Sequence, residues 1–383
     1  MINISNIEFI EKKIISKKNR FELNHNESLE INNEFKNKNI LIAGASGSIG
    51  KEFTKKILKL NFRNLYLLDK NENSLTEINR DIVNLVGLKK IKKIFFICAD
   101  FTQLNINSVL NKKRIHIFLN FAALKHVRSE EELESIKYMF NTNTKSFLDE
   151  NIKSNYLKKI FSVSTDKAAY PSSVLGISKF LMEQKLACIK TKNKIFISSA
   201  RFANVSFSNG SILKNIVKRL INKEKQGIPK NIKRFFITHD EAVSICLKAL
   251  LKRNDGKIII PSSDILTKQL SIKDLCIKII NIFNKRTKNI SEKKLLKKNN
   301  IILTSGKNHG QKKQEVFNSK SEIIINDNFD KKINYLNLNY VFKYDKFLND
   351  IDKLDNMNLL RNKIKKNFQG YINSNVSRVS KSY

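Results

Sequence analysis

Short apolar runs recur through the first two hundred residues. Each is followed by a stretch in which apolar positions return every three or four residues. Asn39-Ile-Leu-Ile-Ala43, Asn64-Leu-Tyr-Leu-Leu-Asp69, Ile94-Phe-Phe-Ile-Cys98, Ile115-His-Ile-Phe-Leu119 and Ile160-Phe-Ser-Val-Ser164 are such runs. An unbroken apolar run suits a strand covered on both faces, and the 3.6-residue return suits a helix lying on it. The pattern predicts helices over Ile49–Leu60 and from Glu72 to about Leu85. Alternation of this kind predicts an α/β fold with a doubly wound parallel sheet. After Arg201 the rhythm loosens: Ser211–Lys223 and Ser271–Phe283 read as helices and 228–240 as an extended segment. Residues 284–335 read as polar and irregular, and there are no internal repeats.

One run is followed by chemistry. Gly44-Ala-Ser-Gly47-Ser-Ile-Gly50 comes directly after the first strand and opens a helix. A glycine spacing in that context is a dinucleotide fingerprint, whereas alone it reads as an ordinary strand–helix turn. Gly44, Ser46, Gly47, Ser48, Ile49 and Gly50 would then cradle a pyrophosphate at a helix N-terminus. Asp69 ends the second strand, 25 positions after Gly44, where a carboxylate binds ribose hydroxyls. It favours NAD by repelling a 2′-phosphate, while the adjacent Lys70 keeps NADP open. Asp100 and Phe101, after the third strand, are expected on the adenine side, and Ala122 and Ala123, after the fourth, beside the ribose. The expected organisation is a lead-in (1–37), a Rossmann-like dinucleotide-binding domain (38–205), a smaller substrate-binding lobe with returning elements (206–360) and a flexible tail (361–383).

Composition changes this picture little. The chain has 383 residues and a formal net charge of +37, from 72 basic and 35 acidic side chains. Such a balance can signal nucleic acid or an anionic membrane. Here the lysines are spread through every segment among many Asn and Ile, so a proteome-wide bias is the better reading, and neither partner is expected. The charge still favours phosphorylated ligands. Cys98, Cys188, Cys246 and Cys276 form no CxxC pair and lie in apolar runs; reduced, buried thiols are expected. No metal cluster is expected. The start, Met1-Ile-Asn-Ile-Ser-Asn, lacks a signal-peptide core, and no run approaches a membrane span, so the expectation is a soluble cytoplasmic protein without stable membrane insertion.

Five blocks occur in a telling order: Gly44–Gly50, Ala122-Ala-Leu-Lys-His126, Ser164-Thr-Asp-Lys-Ala168, Gly176-Ile-Ser-Lys179 and Arg201-Phe-Ala-Asn-Val205. From about residue 36 to 250 the chain resembles the nucleotide-sugar 4,6-dehydratases of the extended short-chain dehydrogenase/reductase superfamily. More narrowly, it is similar to the bacterial UDP-N-acetylglucosamine 4,6-dehydratases of polysaccharide and flagellin-glycan biosynthesis. A fainter similarity lies at Gly310-Gln-Lys-Lys-Gln-Glu315. The glycine run is shared across the superfamily; the Ala-Ala-Leu-Lys-His and Ser-Thr-Asp-Lys-Ala blocks are more specific.

The resemblance implies a reaction. C4 of the sugar is oxidised by hydride transfer to bound NAD(P)+, which makes the C5 proton acidic. A base takes that proton, an acid protonates the C6 hydroxyl, water leaves, and hydride returns to C6. By resemblance Asp166 is the acid, Lys167 the base, and Thr165 a partner of the C4 hydroxyl. Lys167 can serve only when neutral, so its pKa is expected to fall through burial or nearby cations such as Lys179. Lys179 would bind the nicotinamide ribose. Lys125 and His126 would meet substrate at the cleft mouth, Asn204, Ser208 and Ser211 would line it, and Arg234 would grip the diphosphate, for which its planar fork is suited.

One position departs from the superfamily pattern. The tyrosine usual four residues before the ribose lysine is replaced by Leu175, which cannot titrate. Deprotonation at C4 would then pass through Thr165, Asp166 or water, with Tyr170 taken as a packing or substrate-contact residue. The segment 125–131 and the long lead resemble a subgroup tied to nonulosonic or amino-sugar pathways, so a GDP-linked sugar stays open beside a UDP-linked one. An epimerase and a catalytically decayed cofactor-binding scaffold are the alternatives; retention of both Asp166 and Lys167 disfavours each. A nucleotide-sugar substrate and a homo-oligomer are the implied partners, with the helices over 133–150 and 174–190 as the expected dimer surface.

Overall fold

A computed structural model of the chain describes residues 7–125, 130–145, 152–266, 268–283, 291–305 and 315–371. Helices α1 (Ile7–Ile14) and α2 (His25–Phe35) precede strand β1 (Asn39–Ala43). Then β2 (Asn64–Asp69), β3 (Ile94–Cys98), β4 (Ile117–Asn120), β5 (Lys159–Val163) and β6 (Phe196–Ala200) follow. They are joined by α3 (Ser48–Ile57), α4 (Glu72–Ile91), α5 (Ile106–Lys112), α6 (Leu133–Phe140) and α7 (Val174–Lys192). The second half contributes β7 (Asn204–Val205), α8 (Ile212–Ile221), β8 (Gln226–Pro229), β9 (Lys233–Arg234), β10 (Phe236–Ile237), α9 (His239–Ala249) and β11 (Lys257–Pro261). After these come β12 (Leu270–Ser271), α10 (Ile272–Phe283), α11 (Glu292–Lys298), β13 (Ile301–Thr304), β14 (Ile325–Asn326), β15 (Ile333–Asn337), α12 (Tyr344–Asp352) and α13 (Met357–Asn367).

Nine strands form the main sheet in the order β14-β15-β11-β6-β5-β4-β1-β2-β3. Every pair from β3 to β11 is parallel, and β15 and β14 add an antiparallel edge. The doubly wound α/β fold is therefore present. The strand order reverses between β1 and β4, and in such sheets ligands bind beyond the carboxyl ends of the strands at that crevice. β1 and β5 are buried at every position, as expected for strands covered on both faces.

Several expectations need correction. β3 is the edge strand at one side of the sheet, and Phe95 and Cys98 reach solvent, while Cys188, Cys246 and Cys276 are buried. Its apolar run does not carry two-sided burial. The stretch expected to be irregular holds α11, β13, β14 and β15. β15 buries only part of its length as the partner of β11, so it lacks the continuous apolar signature. The expected flexible tail is folded as far as it is described: α13 runs to Asn367, and Tyr371 is buried. Residues 372–383 lie outside the described residues.

The expected dimer surface is also revised. α12 and α13 pack on α6 and α7, joining Ile136, Phe140, Leu181, Phe347 and Ile364 in one core. Phe140 meets Phe347, and Phe180 meets Phe368, edge to face. The chain covers with its own C-terminal helices the face on which a second subunit was expected; residues 146–150 of that surface lie outside the described residues. The N-terminal helices are built in as well. Ile10 and Ile14 of α1 join the core of α8 and α10, and Ile31 and Phe35 of α2 pack under β1. Lys248, 1% exposed, pairs with Glu27 of α2 and with Asp330, both at 2.6 Å.

Candidate active site

The glycine turn after β1 is shaped by backbone contact. Gly44 has φ +73°, a region that L side chains rarely adopt,. A Cβ there would stand 2.4 Å from the Ala122 nitrogen, and one at Gly50 would stand 2.1 Å from the Gly44 carbonyl oxygen. Gly47 caps α3 without a side-chain hydrogen bond to the first-turn amides. Backbone donors at a helix start, in a cradle a methyl group would fill, fit the pyrophosphate of a dinucleotide. Gly50→Ala is expected to cost about 1–3 kcal/mol through overpacking and to abolish the rise in Tm expected of the unaltered protein with a saturating nicotinamide dinucleotide; thermal melts with and without NAD or NADP check this.

Asp69 sits at this turn, its Oδ2 accepting from the Ser46 amide (3.0 Å) and its Oδ1 from that of Asn71 (3.1 Å). Ser48 Oγ accepts from the Asn209 amide at 2.8 Å, joining α3 to the second half of the chain. Ile49 packs against the main core, and Ala122 against the cluster under β4. Asp100 accepts from the Thr102 amide and hydroxyl and from Tyr138 Oη, all at 2.8 Å. Burial works to raise its carboxyl, but these hydrogen bonds outweigh burial and hold it below the ordinary range. Lys70 donates to the same Tyr138 Oη at 2.8 Å. The Phe101 side chain is core, 6% exposed and stacked on Phe118.

The end of β5 carries the candidate chemistry. Thr165 caps a 3-10 turn over Asp166–Ala168. Its hydroxyl donates to Asp166 Oδ1 at 2.7 Å, and Lys167 Nζ donates to the same oxygen at 3.2 Å. The Asp166 side chain is 3% exposed and that of Lys167 34%. The Lys167 ammonium is not depressed as expected. Burial works to lower it, but the charges of Asp166 and Glu315 prevail and hold it above the ordinary lysine range. Lys179, beneath on α7, donates to the Val163 carbonyl at 2.9 Å, and burial pushes it down to about 8.

Glu315 joins this pair from a distant part of the chain. It is 7% exposed. Its Oε1 accepts from Asn204 Nδ2 (2.7 Å) and pairs with Arg234 Nε (3.2 Å); its Oε2 accepts from the Phe235 amide (2.8 Å). Burial first, then the Asp166 charge, pushes its carboxyl up to about 7. Asn204 and Arg234 are thus in the site, bonded to a carboxylate. The segment carrying Glu315 is anchored by Arg201, 1% exposed, which pairs with Glu183 (2.6 Å) and Glu322 (2.7 Å) and donates to the Phe317 carbonyl (2.9 Å). Glu183 also accepts from Ser164, the residue before Thr165, at 2.6 Å.

The remaining expected residues divide. Lys125 Nζ donates to Ser208 Oγ at 3.3 Å, and burial, aided by Lys214, lowers it to about 8. Ser211 is the N-cap of α8, its hydroxyl accepting from the Lys214 amide. His126 lies outside the described residues. Leu175 is 5% exposed and packs with the C-terminal helices. The amides of Val174 and Leu175 donate to Glu130 at 3.0 and 3.1 Å, so a carboxylate seats the start of α7. Sequence reasoning missed Arg201 and Glu130 as organisers. Glu315 was within reach, since it ends the late block that carried the fainter similarity.

A parallel sheet with a glycine cradle at its switch point, and an acid–amine pair at a neighbouring strand end, define a Rossmann-type protein of the extended short-chain dehydrogenase/reductase class. The family model described as polysaccharide biosynthesis protein matches residues 40–336, and the chain belongs to that family. It is 32% identical over 241 residues to a Methanocaldococcus jannaschii protein named an uncharacterized membrane protein, covering 60% of this chain and 68% of that one. It is 26% identical to the capsular polysaccharide biosynthesis protein CapD of Staphylococcus aureus, over 84% of this chain and about half (51%) of the relative. It is 27% identical to a UDP-N-acetylglucosamine 4,6-dehydratase (inverting) of Campylobacter jejuni, over 59% of this chain and 67% of that one. Among solved structures, Pen from Bacillus thuringiensis shares the fold, with a TM-score of 0.64, 20% identity, and coverage of 79% of this chain and 88% of that one. No helix among the described residues is long and apolar enough to cross a membrane.

Proposed function

We propose that this protein is a nicotinamide-dependent nucleotide-sugar 4,6-dehydratase acting on UDP-N-acetylglucosamine. The observation that carries the reading is the 3.2 Å contact between Lys167 Nζ and Asp166 Oδ1 at the end of a buried strand. Simple epimerisation at C4 needs no second acid; loss of water across C5–C6 needs one acid and one base together. The 27% identity to an enzyme named for this reaction supports it. Bound nicotinamide would supply the hydride acceptor and donor.

The chain's own residues would do the rest. The resting pair is an ammonium and a carboxylate, the reverse of what the reaction requires. Transfer of one proton along the existing hydrogen bond yields a neutral Lys167 amine and a protonated Asp166. Lys167 then takes the C5 proton of the 4-keto sugar while Asp166 gives its proton to the departing C6 hydroxyl, which leaves as water. As C6 receives hydride, Lys167 would return its proton to C5, and the proton lost from the C4 hydroxyl, passed to water, would restore the ammonium–carboxylate pair. Thr165, already donating to Asp166, would orient that carboxyl and meet the C4 oxygen. Lys179 would hold the nicotinamide ribose, and Asp69, bonded to the glycine turn, the adenosine ribose. NAD is favoured over NADP because the Asp69 carboxylate repels a 2′-phosphate and the Lys70 ammonium is engaged by Tyr138. Lys125, Ser208, Asn204 and Arg234 would bind substrate.

The test is incubation with NAD and either UDP- or GDP-N-acetylglucosamine, followed by mass spectrometry. The expected product is the UDP sugar lighter by one water. Product only from the GDP sugar corrects the nucleotide; a product of unchanged mass inverted at C4 by NMR replaces the dehydratase with an epimerase. No conversion of either by folded protein defeats the proposal.

A further inference from the structure

Arg234 is the residue expected to hold the substrate diphosphate, yet its Nε pairs with Glu315 at 3.2 Å. The carboxylate is well built for this place. It takes the Asn204 amide and the Phe235 backbone N–H, and its segment is bolted to the sheet by the Arg201–Glu322 pair. The charged groups facing Glu315 are Asp166 and Lys167 from the β5–α7 turn and Arg234 from β9. Those influencing Lys167 are Asp166, Glu315 and Arg234. The same carboxylate therefore bonds to the proposed diphosphate grip and adds its charge to the field around the acid–base pair.

We infer that Glu315 is a positioning residue that holds Arg234 until a nucleotide diphosphate displaces it. This rests on the proposed function only for the diphosphate that Arg234 meets. The Glu315 carboxylate competes with a diphosphate for the Arg234 guanidinium, so the observed affinity is reduced by the fraction of time the carboxylate holds it.

Glu315→Gln keeps the shape and removes the charge. At pH 8, calorimetry with UDP and with GDP should show the variant binding the preferred nucleotide about threefold or more tightly than wild type. A variant that binds neither diphosphate more tightly overturns the inference. Glu315→Asp, which retains the charge but withdraws it from Arg234, should also tighten diphosphate binding; this decides the matter if the Gln variant does not fold. The binding measurement does not depend on turnover, so failure of the inference and failure of the dehydratase reading are distinguishable.

Discussion

Lys167→Ala is expected to lower kcat by about 10²–10⁴-fold, the usual range for a lost general base, while NAD remains bound. The amine is the partner of Asp166 at 3.2 Å, and among the described residues no second amine takes that position: Lys179 is bonded to the Val163 carbonyl at 2.9 Å. The variant also leaves Asp166, 3% exposed, without its ion partner, so the acid suffers with the base. Single-turnover assays by mass spectrometry, with NAD binding followed by fluorescence, check both parts. Unchanged turnover refutes the assigned base. Lost turnover together with lost NAD binding shows that the turn after β5 supports the cofactor site and leaves the chemistry to another group.

Arg201→Met is expected to destabilise the fold by about 3–5 kcal/mol, the cost of stranding buried charge when one partner of a buried ion pair is removed. Arg201 is 1% exposed and bonds the carboxylates of Glu183 and Glu322 and the Phe317 carbonyl. Urea denaturation of both proteins at pH 7 gives the loss directly, and a change under about 1 kcal/mol, the scale of an exposed pair, contradicts it. The pH dependence has a definite sign. Burial works to raise the Glu322 carboxyl, but the hydrogen bonds and charge of Arg201 overcome it and hold it below the ordinary range. A depressed carboxyl contributes stability that is complete above its unfolded pKa, about 4.3, and disappears as pH falls through its native value. Wild type should therefore lose part of its advantage over the variant as pH drops below about 4.3.

β1 to β5 of the parallel core were legible because each is a largely apolar run followed by a helical stretch. The glycine turn was legible because its close contacts are local, among Gly44, Gly50 and the Ala122 backbone. The Asp166–Lys167 pair was legible because adjacent residues on a tight turn after a buried strand have few other places to go. Three things were not. β15, between β11 and the edge strand β14, is only half buried and lacks the apolar signature. α12 and α13 resemble ordinary amphipathic helices, and nothing local says that they cover α6 and α7 in place of a second copy. The protonation of Lys167 was read with the wrong sign, since the charge of Glu315, which helps hold the ammonium, comes from 148 positions away (315 minus 167).

Periodicity and the conformational demands of glycine act over a few residues, and they determined the first five strands, the glycine turn and the turn that carries the acid and the amine. Only the tertiary structure decided which charges share a buried space. Burial raises Glu315 and the field of two carboxylates holds Lys167; both effects depend on distances and desolvation that exist only once segments far apart in the chain have packed together.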